Sequence, residues 1–183
     1  MSSNKRTILF DIENILRKIK VEEGQKLAEL GCGNFGFFVW PLAHLTGRRG
    51  QVYAVDILKS TLDEIRRQAL KENLPQVKTI WSNLEIFKAT AIETSSLDDA
   101  LLVNVLYQSE KKIEIIREAV RLLKRGGRLL IVEWENTDSP LGPALEKRVK
   151  LDSIKNAAPK LGLDISEEFK AGPYHYGLIL TKL

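Results

Sequence analysis

Along the chain, short apolar runs alternate with segments of helical period, the pattern of a parallel sheet with helices on both faces. "KLAEL" (26–30) reads as the first strand, followed by a glycine-rich loop and a helical segment over 37–45. Pro41 fits that helix only within its first turn, where no backbone donor is needed. "QVYAVDI" (51–57) is the second strand. The segment "KSTLDEIRRQALKEN" then places Leu62, Ile65, Ala69 and Leu70 on one helix face, with Ser60 as its cap. "VKTIW" (77–81) and "DALLVNVLY" (99–107) are the third and fourth strands, the latter apolar almost throughout, as burial on both faces requires. A helix over about 111–124 carries Ile113, Ile116, Val120 and Leu123, and ends at "KRGG", where glycine suits the C-cap. "RLLIVEW" (128–134) is the fifth strand, followed by a loop with Pro140 and Pro143 and a helix from about 144 to 161.

The last segments break the alternation. "DISEEFK" and "YHYGLILTK" are extended runs joined by "AGP", too short for the crossover that parallel neighbours need, so this pair must be antiparallel. At 183 residues the chain suits one domain, with residues 1–24 as a helical or extended lead-in to a core over 25–183. Its apolar runs are strand-sized, well below the ~20 residues of a membrane span. No export signal stands at the N-terminus, and the one cysteine, Cys32, can form no intrachain disulfide. A cytoplasmic location is the expectation. The net charge of +4 is spread over clusters such as "RKIK" and "KRVK", interleaved with acids and without stacking aromatics. That pattern reads as solvated helix faces more than as a nucleic-acid surface.

The candidate chemistry begins in "AELGCGNFGFF" (28–38), where Gly31, Gly33 and Gly36 follow a strand at G-x-G-x-x-G spacing. Asp56 ends the second strand, placed to accept two ribose hydroxyls. Both features suit either NAD or S-adenosylmethionine. Glu29 separates the two: a carboxylate there repels a pyrophosphate but suits a methionyl ammonium and a sulfonium. The antiparallel end and the lack of a second substrate domain point the same way.

With those residues in view, the chain resembles the class I S-adenosylmethionine-dependent methyltransferases, in the small-molecule branch that includes ubiquinone/menaquinone-type C-methyltransferases. "AELGCGNFG", "VYAVDI" and "LLKRGGRLLIVEW" are similar to that family's first, strand-two and strand-five motifs, and "GPALEKRV" and "PYHYGLIL" to the ends of the branch. The resemblance implies a Rossmann-like α/β fold, a seven-stranded sheet with only the last strand antiparallel. It also implies cofactor contacts from Glu29, Gly31, Cys32 and Gly33 at the methionyl end, Asp56 at the ribose, and Ile57, Asn83 and Leu84 at the adenine, with Asn104 bordering the methionyl group and acceptor. Two departures stand out. Phe35 lengthens the glycine loop by one residue, and Asn83 replaces the usual aspartate after the third strand, with Glu85 as a weaker alternative. Cys32 itself reads as a small packed residue, with no activating base beside it.

A sulfonium donor carries its own leaving group, so a protein of this kind mainly aligns donor and acceptor. Where a base is needed, His175 and Tyr107 are the candidates, with Gln108 and Glu133–Glu135 near the pocket mouth; His44 reads as structural. No metal is implied. "NVLYQ" stands where amino-methylating enzymes carry an N-P-P-Y type motif, so the expected acceptor is a small molecule of unidentified structure. An RNA methyltransferase and a non-catalytic S-adenosylmethionine-binding protein are the alternatives. Oligomeric state has no signature in the sequence.

Overall fold

The computed structural model describes residues 10–137 and 139–183. Seven strands form one sheet: β1 (Lys26–Leu30), β2 (Gln51–Asp56), β3 (Val77–Trp81), β4 (Leu97–Val103), β5 (Leu123–Trp134), β6 (Leu163–Gly172) and β7 (His175–Lys182). Their order across the sheet is β3-β2-β1-β4-β5-β7-β6. The β1–β2, β2–β3, β1–β4 and β4–β5 pairs are parallel, and β7 runs antiparallel to both β5 and β6. The expected architecture, with β7 alone reversed, is the one observed. Its direction follows from the two-residue turn Pro173–Tyr174, since Gly172 already pairs with His175. That turn is tighter than the "AGP" link read from sequence, because both strands extend further than their apolar cores.

Helices α1 (Ile12–Ile19), α2 (Val39–Thr46), α3 (Lys59–Lys71), α4 (Lys112–Leu122) and α5 (Leu151–Ala157) cover the two faces. Residues 1–9 of the expected lead-in lie outside the described residues; α1 lies within it, burying Ile15, Leu16 and Ile19 against Phe38 and Leu42 on the α2 side. The opposite face packs α4 and α5 over Ala100, Leu102, Leu129 and Ile131. Pro41 is the third residue of α2, within its first turn as expected.

Several boundaries differ from the sequence pattern, each for a tertiary reason. Strand β4 begins at Leu97 and ends at Val103, not Tyr107, because Asn104 turns the chain with φ +55°. Asparagine tolerates that left-handed conformation better than most residues. A short 3₁₀ turn, Leu106–Gln108, takes up the rest of the expected strand. Ser60 does not cap α3: the helix starts at Lys59, and the preceding Leu58 amide donates to Asp56 Oδ1 at 2.9 Å. Leu70 is 76% exposed, since it sits one residue off the stripe of Leu62, Ile65 and Ala69. Helix α4 stops at Leu122 and buries Ile115, Ile116, Ala119 and Leu122, so its inner face is rotated from the expected one and Ile113 is exposed. Its C-cap is Leu123, and "KRGG" instead bulges within β5, where the β4–β5 register slips between Leu97 and Asp99.

The helix expected over 144–161 is broken into two 3₁₀ turns flanking α5. Competing hydrogen bonds explain the break. Arg148 donates to the carbonyls of Glu135, Thr137, Leu141 and Pro143, and the Tyr176 hydroxyl donates to Val149 O at 2.8 Å. These bonds hold the loop after β5 as a folded unit and take groups a continuous helix would use.

Candidate functional site

The strand order reverses direction between β1 and β4, and loops from the carboxyl ends of β1 to β4 enclose a cavity of about 390 Å³ there. In open α/β sheets this crevice is where ligands bind, and the volume is within the ~300–1,000 Å³ of ordinary ligand pockets. Gly31, Gly33, Asp56, Ile57, Asn83 and Leu84 all line it, so six of the expected cofactor residues converge on one space. Glu85 and Gln108 also line it.

The glycine loop is pinned from below by Val55, whose carbonyl accepts from the Gly31 and Cys32 amides at 2.7 and 3.0 Å. Gly31 has φ +80°, and a Cβ there would lie 2.6 Å from Val105 Cγ2; the missing side chain lets the turn after β4 close against the loop. Asp56 ties the loop to the next crossover, with Oδ2 accepting from Gly33 N and Oδ1 from Leu58 N, both at 2.9 Å. A carboxylate has about four acceptor sites. Two amide bonds therefore leave capacity for hydroxyl donors from the cavity. Thr61 Oγ1 donates to Asn34 Oδ1 at 2.7 Å and fixes the outer side of the loop.

The additional Phe35 is accommodated outward. Its ring is 69% exposed and rests 5.4 Å from the Phe37 ring, while its carbonyl accepts from Trp40 Nε1 at 2.8 Å. Gly36, with φ +52° and buried between Val39 and Ile65, returns the chain to α2. The loop thus gains a residue without obstructing the cavity.

Glu29 lies beneath the loop rather than along the cavity lining. It is 4% exposed, and Oε2 accepts from the Phe38 and Val39 amides at 3.2 and 2.9 Å, at the start of α2. Burial pushes its carboxyl up to about 8, with the Asp56 charge adding to the rise and the two amides opposing it. Cys32 is packed behind the loop, and burial, with Glu29 and Asp56, holds its thiol far above the ordinary thiol range. That agrees with a small packed residue and not a nucleophile.

Asn83 Oδ1 accepts from Glu85 N at 3.0 Å, closing the turn after β3, while its residue still faces the cavity. Glu85 in turn accepts from Ser109 Oγ at 2.7 Å, which ties this turn to the one after β4.

A second group forms on the other side of β4. His175, fully buried at the start of β7, has Nε2 3.1 Å from Asn104 Oδ1. Its ring lies 4.1 Å from the Trp134 ring and edge-on to Phe10 at 5.4 Å. Asn104 is held by its own amide to Val132 O at 2.9 Å and by Gln108 Nε2 on its carbonyl at 2.6 Å. Two residues 71 apart in sequence, each singled out separately, are therefore hydrogen-bonded partners. Tyr107 is half-buried on the adjoining turn, and burial with the Glu133 charge raises its hydroxyl. His44, read as structural, is exposed on α2 and does not line the cavity.

Asn34, Leu58, Val105, Ser109 and Ile115 line the cavity without having drawn attention in the sequence. Val105 was hidden because the turn that begins after Val103 read as strand to Tyr107, and Ser109 lay beyond that strand with no signal of its own. Among the described residues no cluster of His, Cys, Asp or Glu suits a metal ion, and no helix is long and apolar enough to cross a membrane.

A doubly wound sheet with a reversed last strand, a glycine loop after β1 and an acidic end to β2 define the class I methyltransferase type of fold. The chain matches the methyltransferase domain family over residues 22–169 and belongs to it. It is 31% identical over 159 residues to a ubiquinone/menaquinone biosynthesis C-methyltransferase, UbiE, of Rhizobium etli, covering 85% of this chain and 57% of that one. It is 28% identical over 152 residues to the S-adenosyl-L-methionine-dependent Diels-Alderase iccD of Talaromyces variabilis, covering 80% and 50%. The chain thus spans about half the length of these relatives. The crystal structure of a SAM-dependent methyltransferase from Aquifex aeolicus superposes with a TM-score of 0.87 over 99% of this chain and 94% of that one, at 20% identity, and shows the shared fold.

Proposed function

We propose that the protein binds S-adenosylmethionine in the cavity at the β1–β4 crevice and transfers its methyl group to a small-molecule acceptor. The observation that carries this reading is the convergence of Gly31, Gly33, Asp56, Ile57, Asn83 and Leu84 on one cavity. The cavity's residues fit the cofactor's chemistry: an open glycine backbone, a carboxylate with spare acceptor capacity, and apolar Ile57 and Leu84 suited to the adenine faces. When bound, the cofactor supplies an activated methyl group on a sulfonium. This chain's contribution is to hold it, exclude water and present an acceptor from the side of Asn104 and His175. We place the protein in the cytoplasm as a small-molecule enzyme, with residues 25–183 as its cofactor-binding core.

Calorimetry tests the cofactor. S-adenosylmethionine and S-adenosylhomocysteine are expected to bind and NAD is not; the reverse result sinks the proposal. We assign the methionyl ammonium to the neighbourhood of Glu29. A cation there would draw a proton off a carboxyl poised at about 8. Binding of S-adenosylmethionine near pH 7 is then expected to release a proton, seen as a heat that varies with the buffer's ionisation enthalpy, and Glu29→Gln is expected to abolish the release.

His175 and Tyr107 remain the acceptor-side candidates. His175→Asn is expected to lower kcat by about 10²-fold, the lower end of general base catalysis, with affinity for S-adenosylhomocysteine preserved. Tyr107→Phe is expected to cost less than about tenfold, because its hydroxyl is held protonated. Equal small losses from both would leave alignment alone as the source of rate.

The similarity to a Diels-Alderase supports a second reading, in which the cofactor is bound but its methyl group is not transferred. Formation of S-adenosylhomocysteine during turnover distinguishes the two. Mass spectrometry of ligands retained on purification is the shortest route to the acceptor.

A further inference from the structure

At the end of β5 lies a carboxyl group that the cofactor contacts do not use. Glu133 is fully buried. Its Oε1 accepts from Leu106 N at 2.6 Å, and the amides of Val105, Tyr107 and Trp134 also stabilise its charge. Its Oε2 is buried with no hydrogen-bond partner. A half-satisfied carboxyl is a costly way to fill a core, where an apolar residue of similar volume would serve.

What this group holds is the turn after β4. Val105 packs where a Cβ on Gly31 would stand, and Val105 and Gln108 both form part of the cavity wall. The Gln108 side chain also grips Asn104, the partner of His175. The turn therefore joins the cofactor side of the site to the acceptor side, and Glu133 is its anchor in the sheet.

Resting on the reading of this cavity as the cofactor site, we propose that Glu133 is a positioning residue whose ionisation tightens the turn after β4 and so strengthens cofactor binding. Burial raises its carboxyl to about 7, against the pull of the surrounding amides. Hydrogen bonds to an ionised acceptor are roughly twice as strong as neutral ones, so the turn is gripped above that pH and loosened below it. Among the described residues, Tyr107 from the turn and Tyr176 from β7 feel the Glu133 charge, and Glu135 acts on Tyr176 in addition. The apolar neighbours on this face of the sheet include Ile116 from α4 and Ile154 from α5, and the buried charges of α4, Glu118 and Arg121, are paired with each other.

The test compares the wild type with Glu133→Gln, which keeps size and one acceptor oxygen but cannot ionise. In the wild type, the amide resonances of Val105, Leu106 and Tyr107 are expected to titrate with a midpoint near 7. Affinity for S-adenosylhomocysteine is expected to rise about fivefold from pH 6 to pH 8, the worth of one strengthened hydrogen bond. Both changes are expected to vanish in Glu133→Gln, whereas any inflection from Glu29 is common to both proteins and cancels when the two are compared. A purely structural Glu133 would give a lower Tm in Glu133→Gln with both pH profiles retained, and that result overturns the inference. Amides that do not titrate overturn it as well. Failure of the wild type to bind S-adenosylhomocysteine at any pH overturns instead the cofactor reading on which the affinity arm depends.

Discussion

Glu29→Gln is expected to stabilise the protein at alkaline pH and to leave it unchanged near pH 4. The wild-type carboxyl stands at about 8 in the folded protein against 4.5 in an unfolded chain. Below pH 4.5 both states are protonated, and the neutral group's fit in the core is fully realised. Between 4.5 and 8 the unfolded chain releases its proton while the folded one retains it, so wild-type stability falls as pH rises. The rise from 4.5 to about 8 corresponds to about 5 kcal/mol, reached near pH 8 and constant above it. Glutamine keeps an oxygen for the Phe38 and Val39 amides and has no proton to lose. Chemical denaturation of both proteins from pH 4.5 to 8.5 measures this directly, with the two curves diverging as pH rises. A variant less stable than wild type at pH 8 would show that the carboxylate is ionised there and serves as an anion at the start of α2.

Asp56→Ala is expected to weaken S-adenosylhomocysteine binding by at least about 10²-fold. Two losses combine. The ligand's hydroxyls lose a charged acceptor, worth about 1.5–3 kcal/mol for each such hydrogen bond. The glycine loop also loses its tie to the β2–α3 turn, since Gly33 N and Leu58 N both donate to this carboxylate. Asp56→Asn retains one acceptor oxygen and is expected to fall between alanine and wild type. Calorimetric affinities read the effect, and thermal unfolding of each ligand-free variant separates a loosened loop from a lost contact. Unchanged affinity in Asp56→Ala would mean that the ribose assignment is wrong.

Much of this site could be read without coordinates because its signals are local. Gly31 and Gly33 after an apolar strand, and Asp56 at the end of the next, depend only on strand ends that periodicity locates well. The same logic failed where polar and apolar residues alternate poorly with structure. "DALLVNVLY" is apolar enough to be all strand, yet Asn104 adopts a left-handed turn, and the residues after it become cavity wall. Nothing in the residue types of Val105 or Ser109 marks them for that role. Glu29 illustrates a subtler limit. Its position was evident, but burial beneath the loop keeps it close to neutral around pH 7, against the pull of the Phe38 and Val39 amides that the fold brings to it.

By itself the sequence determined the order of elements, the reversed last strand, and the glycine and acidic positions facing the crevice. Each follows from periodicity, loop length or backbone permissiveness, which are properties of neighbouring residues. Only the tertiary structure decided that His175 meets Asn104, that Glu133 anchors the turn after β4, and that Arg148 breaks the last long helix. Those outcomes depend on which buried polar group finds which partner across the sheet, and the partners come from distant parts of the chain.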